Sequence, residues 1–220
     1  MASCATEMLE YRFNYRRNLP HYQPEQATLF VTFRLAGSIP MAVLRQLAEE
    51  HERAVSALKC LPESPEREEQ LYLEQRRAFG RWDAALDALD SSPRWLEDPR
   101  IAQMVADSLH YRHGRVYDLH AFFIMPNHGH TVFTPLAKED GAFHSLAAIM
   151  HSLKRYTARQ ANLILGREGD FWQHESYDHV VRDPAEYQRI VAYVLNNPVK
   201  AGLVQEWQNW PWSYFDRNAS

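Results

Sequence analysis

Two apolar runs, residues 115–125 and 128–135, meet at Pro126-Asn127, and this junction constrains the fold more than any other stretch of the chain. Short apolar runs on either side of a turn signal read as neighbouring β-strands. The second run opens His128-Gly129-His130. In an extended strand, residues two apart project from one face, roughly 6.5 to 7 Å apart along the chain, so the two imidazoles can converge on one ion. An H-x-H pair can equally be the polar face of a half-buried strand.

The rest of the chain supplies partners for that pair of strands. Residues 28–35 alternate, with Leu29, Val31, Phe33 and Leu35 on one face, and predict a strand. Helical stretches at about 41–60 and 66–90, broken by Leu61-Pro62-Glu63-Ser64-Pro65, predict a hairpin of helices. Further helices are expected at about 98–112, 143–165 and 184–196, with a fourth strand at about 174–182. The order β-α-β-β-α-β-α fits a split ferredoxin-like α+β fold. The whole of residues 1–220 then reads as one domain carrying a helical insertion at about 41–95.

The helix at 184–196 has legible ends. Asp183 followed by Pro184 and Glu186 reads as an acceptor cap, a proline where no amide donor is needed and a reciprocal carboxylate. Asn197-Pro198 is expected to end it. Tyr193 and Asn197, four apart, lie one turn above the other, so a phenol and an amide oxygen stand side by side on one helix edge.

Taken together, several motifs resemble a known family. His128-x-His130 after Met125-Pro126-Asn127, then Phe171-Trp172-Gln173 and Tyr177-Asp178, then Tyr193-x-x-x-Asn197-Pro198-Val199-Lys200-Ala201-Gly202-Leu203, look like the single-tyrosine HUH transposases. The branch associated with repetitive extragenic palindromes is the most similar, because Tyr15 to Tyr22, Val31 to Leu35 and Trp210-Pro211-Trp212-Ser213 also resemble it. The resemblance implies a four-stranded antiparallel sheet with helices against it. It also implies Tyr193 as nucleophile, a divalent ion at His128, His130 and Asn197, hairpin DNA as substrate, and a monomer in preference to a homodimer.

The chemistry suits those residue types. Two neutral imidazoles and an amide oxygen, with no soft ligand beside them, make an N/O site for Mg²⁺ or Mn²⁺. A tyrosine hydroxyl is a weak nucleophile at its ordinary pKa, yet its attack on a phosphodiester splits the reaction into two reversible steps through a covalent intermediate. Keeping the bond energy in a 5′-phosphotyrosine permits rejoining as well as cutting, which fits strand transfer on single-stranded DNA near hairpins. Tyr156 and Gln160 have a competing Y-x-x-x-Q spacing, but Tyr156 precedes the fourth strand, whereas the family pattern places the nucleophile after it. Lys154, Arg155, Tyr156 and Arg159 therefore read as DNA contacts or plain helix surface, and so do Arg16 and Arg17 near the start.

Charge needs one correction before it agrees. The net −4 is unusual for a nucleic-acid binder, but residues 41–99 alone carry −5, leaving +1 for the other 161 residues. At 220 residues and 45% hydrophobic content, the chain can bury a core without staples, and its two cysteines, Cys4 and Cys60, suggest no disulfide framework. No run approaches a membrane span and no leader pattern opens the sequence, so a cytoplasmic protein without a membrane partner is expected. Two other classes share many of these features: a non-catalytic hairpin-binding protein and a metal-dependent ribonuclease.

Overall fold

The computed structural model describes residues 26–88 and 92–217. Arg16, Arg17 and the motif from Tyr15 to Tyr22 lie outside the described residues. The chain divides into two compact units, one containing residues 39–88 and the other residues 26–38 and 92–217.

The first unit is the expected pair of helices, α1 (Met41–Lys59) and α2 (Pro65–Ala88). Ser64 Oγ accepts the Arg67 amide at 3.2 Å, and Glu66 and Glu68 sit in the first turn, where carboxylates favour the positive end of the helix dipole. The two helices are tied by a charged cluster. Glu74 meets Arg81 Nη2 at 2.6 Å and His51 Nδ1 at 3.5 Å, and Arg81 Nε lies 3.9 Å from Glu50. On α2 the buried apolar residues are Ala78, Trp82 and Leu86, a helical stripe of the kind the sequence suggests.

The second unit is a sheet with helices on both faces. Its elements are β1 (Leu29–Arg34), α3 (Pro99–Arg112), β2 (Tyr117–Ile124), β3 (His128–Pro135), α4 (Leu146–Leu165), β4 (Tyr177–Val180), α5 (Pro184–Lys200) and β5 (Ser213–Phe215). Strand order is β4-β1-β3-β2-β5, every pair antiparallel. Four of these strands are those the sequence anticipates. The fifth is the short β5, which pairs Tyr214 with Phe122 on the open edge of β2. Trp210 Nε1 donates to the Ile124 carbonyl at 2.9 Å, so the aromatic tail covers a sheet edge that would otherwise offer unpaired backbone groups.

Alternation along the strands divides the residues cleanly. Leu29, Val31, Phe33 and Leu35 join Phe122, Ile124 and Phe133 in a buried cluster with α3 (Ile101, Val105, Leu109) and α4 (Ile149, Leu153). Phe30, Thr32 and Arg34 project to the other face, which α5 covers.

Two element boundaries differ from expectation for identifiable reasons. β4 is four residues rather than nine: Trp172 and Gln173 still pair with the end of β1, but the carbonyls of Gln173, His174 and Glu175 accept from Lys154 Nζ at 2.8, 3.1 and 3.2 Å. α5 does not stop at Asn197 but carries Pro198 in its last turn and ends at Lys200. A proline there removes a single ladder bond, and the Ala201 amide still reaches the Asn197 carbonyl at 2.9 Å. Among the described residues, no helix is long and apolar enough to cross a membrane.

Candidate active site

The β2–β3 turn places the paired histidines. Met125 N donates to the His128 carbonyl at 2.8 Å, closing the turn at Pro126-Asn127, and His128 and His130 then project from the α5 face of β3 opposite Arg34 and Thr32. Both side chains are fully buried. Their rings lie 5.0 Å apart, and a ring nitrogen of each is within 4.8 Å of one on the other, close enough to share an ion.

Hydrogen bonds at the other nitrogen set the tautomers. Asn127 Nδ2 donates to Ser92 Oγ at 3.1 Å, which turns its Oδ1 toward His128 Nδ1 at 2.7 Å. An amide oxygen only accepts, so His128 carries its proton on Nδ1 and its lone pair on Nε2. His130 Nδ1 meets Thr32 Oγ1 at 2.7 Å, and the hydroxyl can accept in the same sense. Such outer partners orient imidazoles that bind metals.

Gly129 between them is required by close approach. A Cβ at this position would sit 2.7 Å from Cζ of Phe33, a core ring on the helix-layer face. A small residue thus lets the core ring pack directly beneath the two histidines.

The helix bearing Tyr193 is fixed at its start. Asp183 accepts the Glu186 amide at 2.8 Å, while the Glu186 carboxylate accepts the Arg182 amide at 2.8 Å and meets His179 Nε2 at 3.0 Å. This is the expected cap, extended by a histidine from β4. Tyr187 to Val194 carry the helix onward, and Tyr193, ten residues after Asp183, reaches the His130 ring edge-on at 5.7 Å and 75°. Phe30 stacks on His130 at 5.4 Å and 14° and meets Tyr193 at 6.1 Å and 86°, so one ring touches both groups. Phe123, tilted at 4.9 Å, lies against the same imidazole.

Asn197 follows Tyr193 by one turn and is 1% exposed. Among the described residues neither its amide oxygen nor its amide nitrogen has a hydrogen-bond partner. A buried amide without partners is costly. The set of two imidazoles and an amide oxygen fits a divalent cation and lacks the thiolates of structural zinc.

The basic residues proposed from the sequence fall elsewhere. Arg155, Tyr156 and Arg159 are exposed on α4, which packs on the face of the sheet opposite the histidines. Lys154 is not a surface cation as its neighbours are. Its ammonium donates to three backbone carbonyls, and burial, reinforced by the nearby Arg34 charge, pushes it down to about 7. Burial likewise lowers Arg34, to about 10, against the attraction of Glu175. Sequence reasoning overlooked Asn127, Thr32 and Phe30. Asn127 had a signal in its adjacency to His128, whereas Thr32 and Phe30 are identified only by strand register.

No protein-family model matches the chain. Sequence similarity is found to a REP-associated tyrosine transposase of Escherichia coli, 28% identical over 106 residues, covering 48% of this chain and 59% of that protein. A putative REP-associated tyrosine transposase of Haemophilus influenzae is 27% identical over 103 residues, covering 44% and 58%. The match thus spans somewhat over half the length of these curated relatives. A solved structure of a REP-associated tyrosine transposase bound to a REP hairpin is similar at a TM-score of 0.48 and 18% identity, covering 90% of this chain and 82% of that one. The curated similarities support the family that the motifs resemble.

Proposed function

We propose that this relative of the REP-associated tyrosine transposases is a metal-dependent, single-tyrosine DNA endonuclease and strand transferase acting on single-stranded DNA beside hairpins. The observation that carries the reading is the contact between the Tyr193 ring and His130 in a pair of histidines whose Nδ1 atoms are already engaged.

In this reading His128 and His130 offer Nε2 to an Mg²⁺ or Mn²⁺ ion and Asn197 offers its amide oxygen. When bound, the ion supplies Lewis-acid polarisation of the scissile phosphate and neutralises charge that builds on it. Asn127 and Thr32 hold the imidazoles in the required tautomer and orientation. The Tyr193 oxygen forms the new bond to phosphorus as the bond from phosphorus to the 3′ oxygen breaks. The phenolic proton leaves, and the 3′ oxygen departs as a hydroxyl after gaining a proton. The 5′ end stays on the protein as a phosphotyrosine, and reversing the step with another 3′-hydroxyl completes transfer.

Hairpin DNA as the substrate follows from the motif resemblance and the relatives' family. In-line attack from a helix edge needs a phosphate that can turn toward the phenol, so strand separation favours reaction. A labelled oligonucleotide presented as single-stranded hairpin and as perfect duplex, at equal salt because phosphate contacts are salt-dependent, tests this. Cleavage of the hairpin form alone is expected, and equal cleavage of both would contradict the substrate class. A hairpin-binding protein without chemistry would give no covalent adduct, and a ribonuclease would cut RNA in preference to DNA.

A further inference from the structure

The outer surface of α3 and α4 is unlike the rest of this acidic chain. Residues 108–117 and 146–165 together hold five Lys and Arg and no Asp or Glu, in a protein of net charge −4, and three of the five, Arg115, Arg155 and Arg159, are exposed. Two large aromatics stand exposed there, Tyr111 at 65% and Tyr156 at 50%. Arg115 lies over the Tyr111 ring at 4.4 Å and holds it in place. Arg112 joins the helices through Ser152 Oγ at 3.0 Å, and the phenols of Tyr117, Tyr111 and Tyr156 all lie near enough to act on its charge. Arg155 and Arg159 are exposed on the same helix as Tyr156.

We propose that this surface binds single-stranded DNA running on from the cut site, with bases stacked on Tyr111 and Tyr156 and phosphates met by Arg115, Arg155 and Arg159. The inference rests on the reading above that the substrate is single-stranded DNA, and it adds a binding face on the side of the sheet away from the histidines. A basic surface alone would suit any phosphate backbone. Aromatic faces between the cations are what a strand with unstacked bases can use and a paired duplex cannot, since stacking on an aromatic ring is available to every base.

Binding is measured by fluorescence anisotropy of the full chain with an oligothymidylate of about 16 nucleotides, in chelator so that cleavage plays no part. Tyr111→Ala with Tyr156→Ala should weaken binding roughly tenfold or more, while Tyr111→Phe with Tyr156→Phe, which keeps the ring faces, should bind as the unaltered protein does. Arg155→Gln with Arg159→Gln should lower the slope of log affinity against log salt by about 1.4, the contribution of two phosphates on a single strand. Both tyrosines are exposed, so melting temperature should not move.

Unchanged affinity in the alanine pair would overturn the inference, as would an equal loss of affinity for a paired duplex of the same length. Adduct formation on a hairpin is a separate readout. Absence of adduct together with a tenfold loss in the alanine pair would reject the cleavage reading and keep this surface, while adduct formation with unmoved affinity would do the reverse.

Discussion

His130 and Tyr193 meet edge to face with ring centroids 5.7 Å apart, and Phe30 touches both. A strand and a helix from distant parts of the chain are thereby fixed to each other at the point where, in the proposed function, an ion ligand and a nucleophile cooperate. Phe30→Leu keeps the site apolar but removes the flat wall. It should slow adduct formation by up to roughly a hundredfold, the scale of a 1 Å misplacement, with a smaller effect on DNA affinity. Single-turnover rates at saturating DNA check this; an unchanged rate would mean the ring only fills space.

The two histidines should behave as one unit. His128→Ala and His130→Ala should each remove metal-dependent cleavage, and the double change should be scarcely worse than either. Asn127→Ala and Thr32→Val, which leave the ligands in place, should each weaken apparent metal affinity by roughly 10- to 100-fold. Titrating cleavage with Mn²⁺ separates the two kinds of variant, since excess ion should restore the second kind and not the first.

Asn197 should show an opposition between stability and activity. Its buried amide has no hydrogen-bond partner among the described residues, so Asn197→Leu should hold or raise the metal-free melting temperature while lowering cleavage. Thermal denaturation in chelator together with adduct yield tests both halves. A large loss of stability would show that the amide serves the fold.

Much of the architecture was legible in the chain because period and punctuation agreed. Asp183-Pro184 and Glu186 marked the start of α5, and the alternation from Leu29 to Leu35 marked β1 and its buried face. The Tyr193–Asn197 spacing placed two groups on one helix edge. What was hidden depends on register between strands far apart in sequence. Thr32 meets His130 only because β1 pairs with β3 in one register out of several. The length of β4 was hidden for a related reason: a lysine twenty residues upstream takes the carbonyls that a longer strand would have used. The α4 cations were read as one group, and burial separates Lys154 from Arg155 and Arg159.

Lys154 should give the protein a measurable pH dependence. Its folded-state pKa is pushed down to about 7 from the ordinary 10.5, mainly by burial. Below about 7 both folded and unfolded chains carry the proton; between about 7 and 10.5 the unfolded chain binds a proton that the folded one has released, so this group makes stability rise with pH across that window. Lys154→Met should flatten that rise. Melting temperatures of both proteins from pH 7 to 10 test it, and parallel curves would show that the ammonium is not perturbed as described.

The most direct measurement is to map the covalent adduct. The full chain is incubated with Mn²⁺ and a single-stranded hairpin oligonucleotide, digested, and the DNA-bearing peptide identified by mass spectrometry, with Tyr193→Phe and Tyr156→Phe in parallel. The account predicts the nucleotide on Tyr193, adduct abolished in Tyr193→Phe with hairpin binding retained, and adduct retained in Tyr156→Phe. An adduct on Tyr156, or one that survives both Tyr193→Phe and excess chelator, would contradict it.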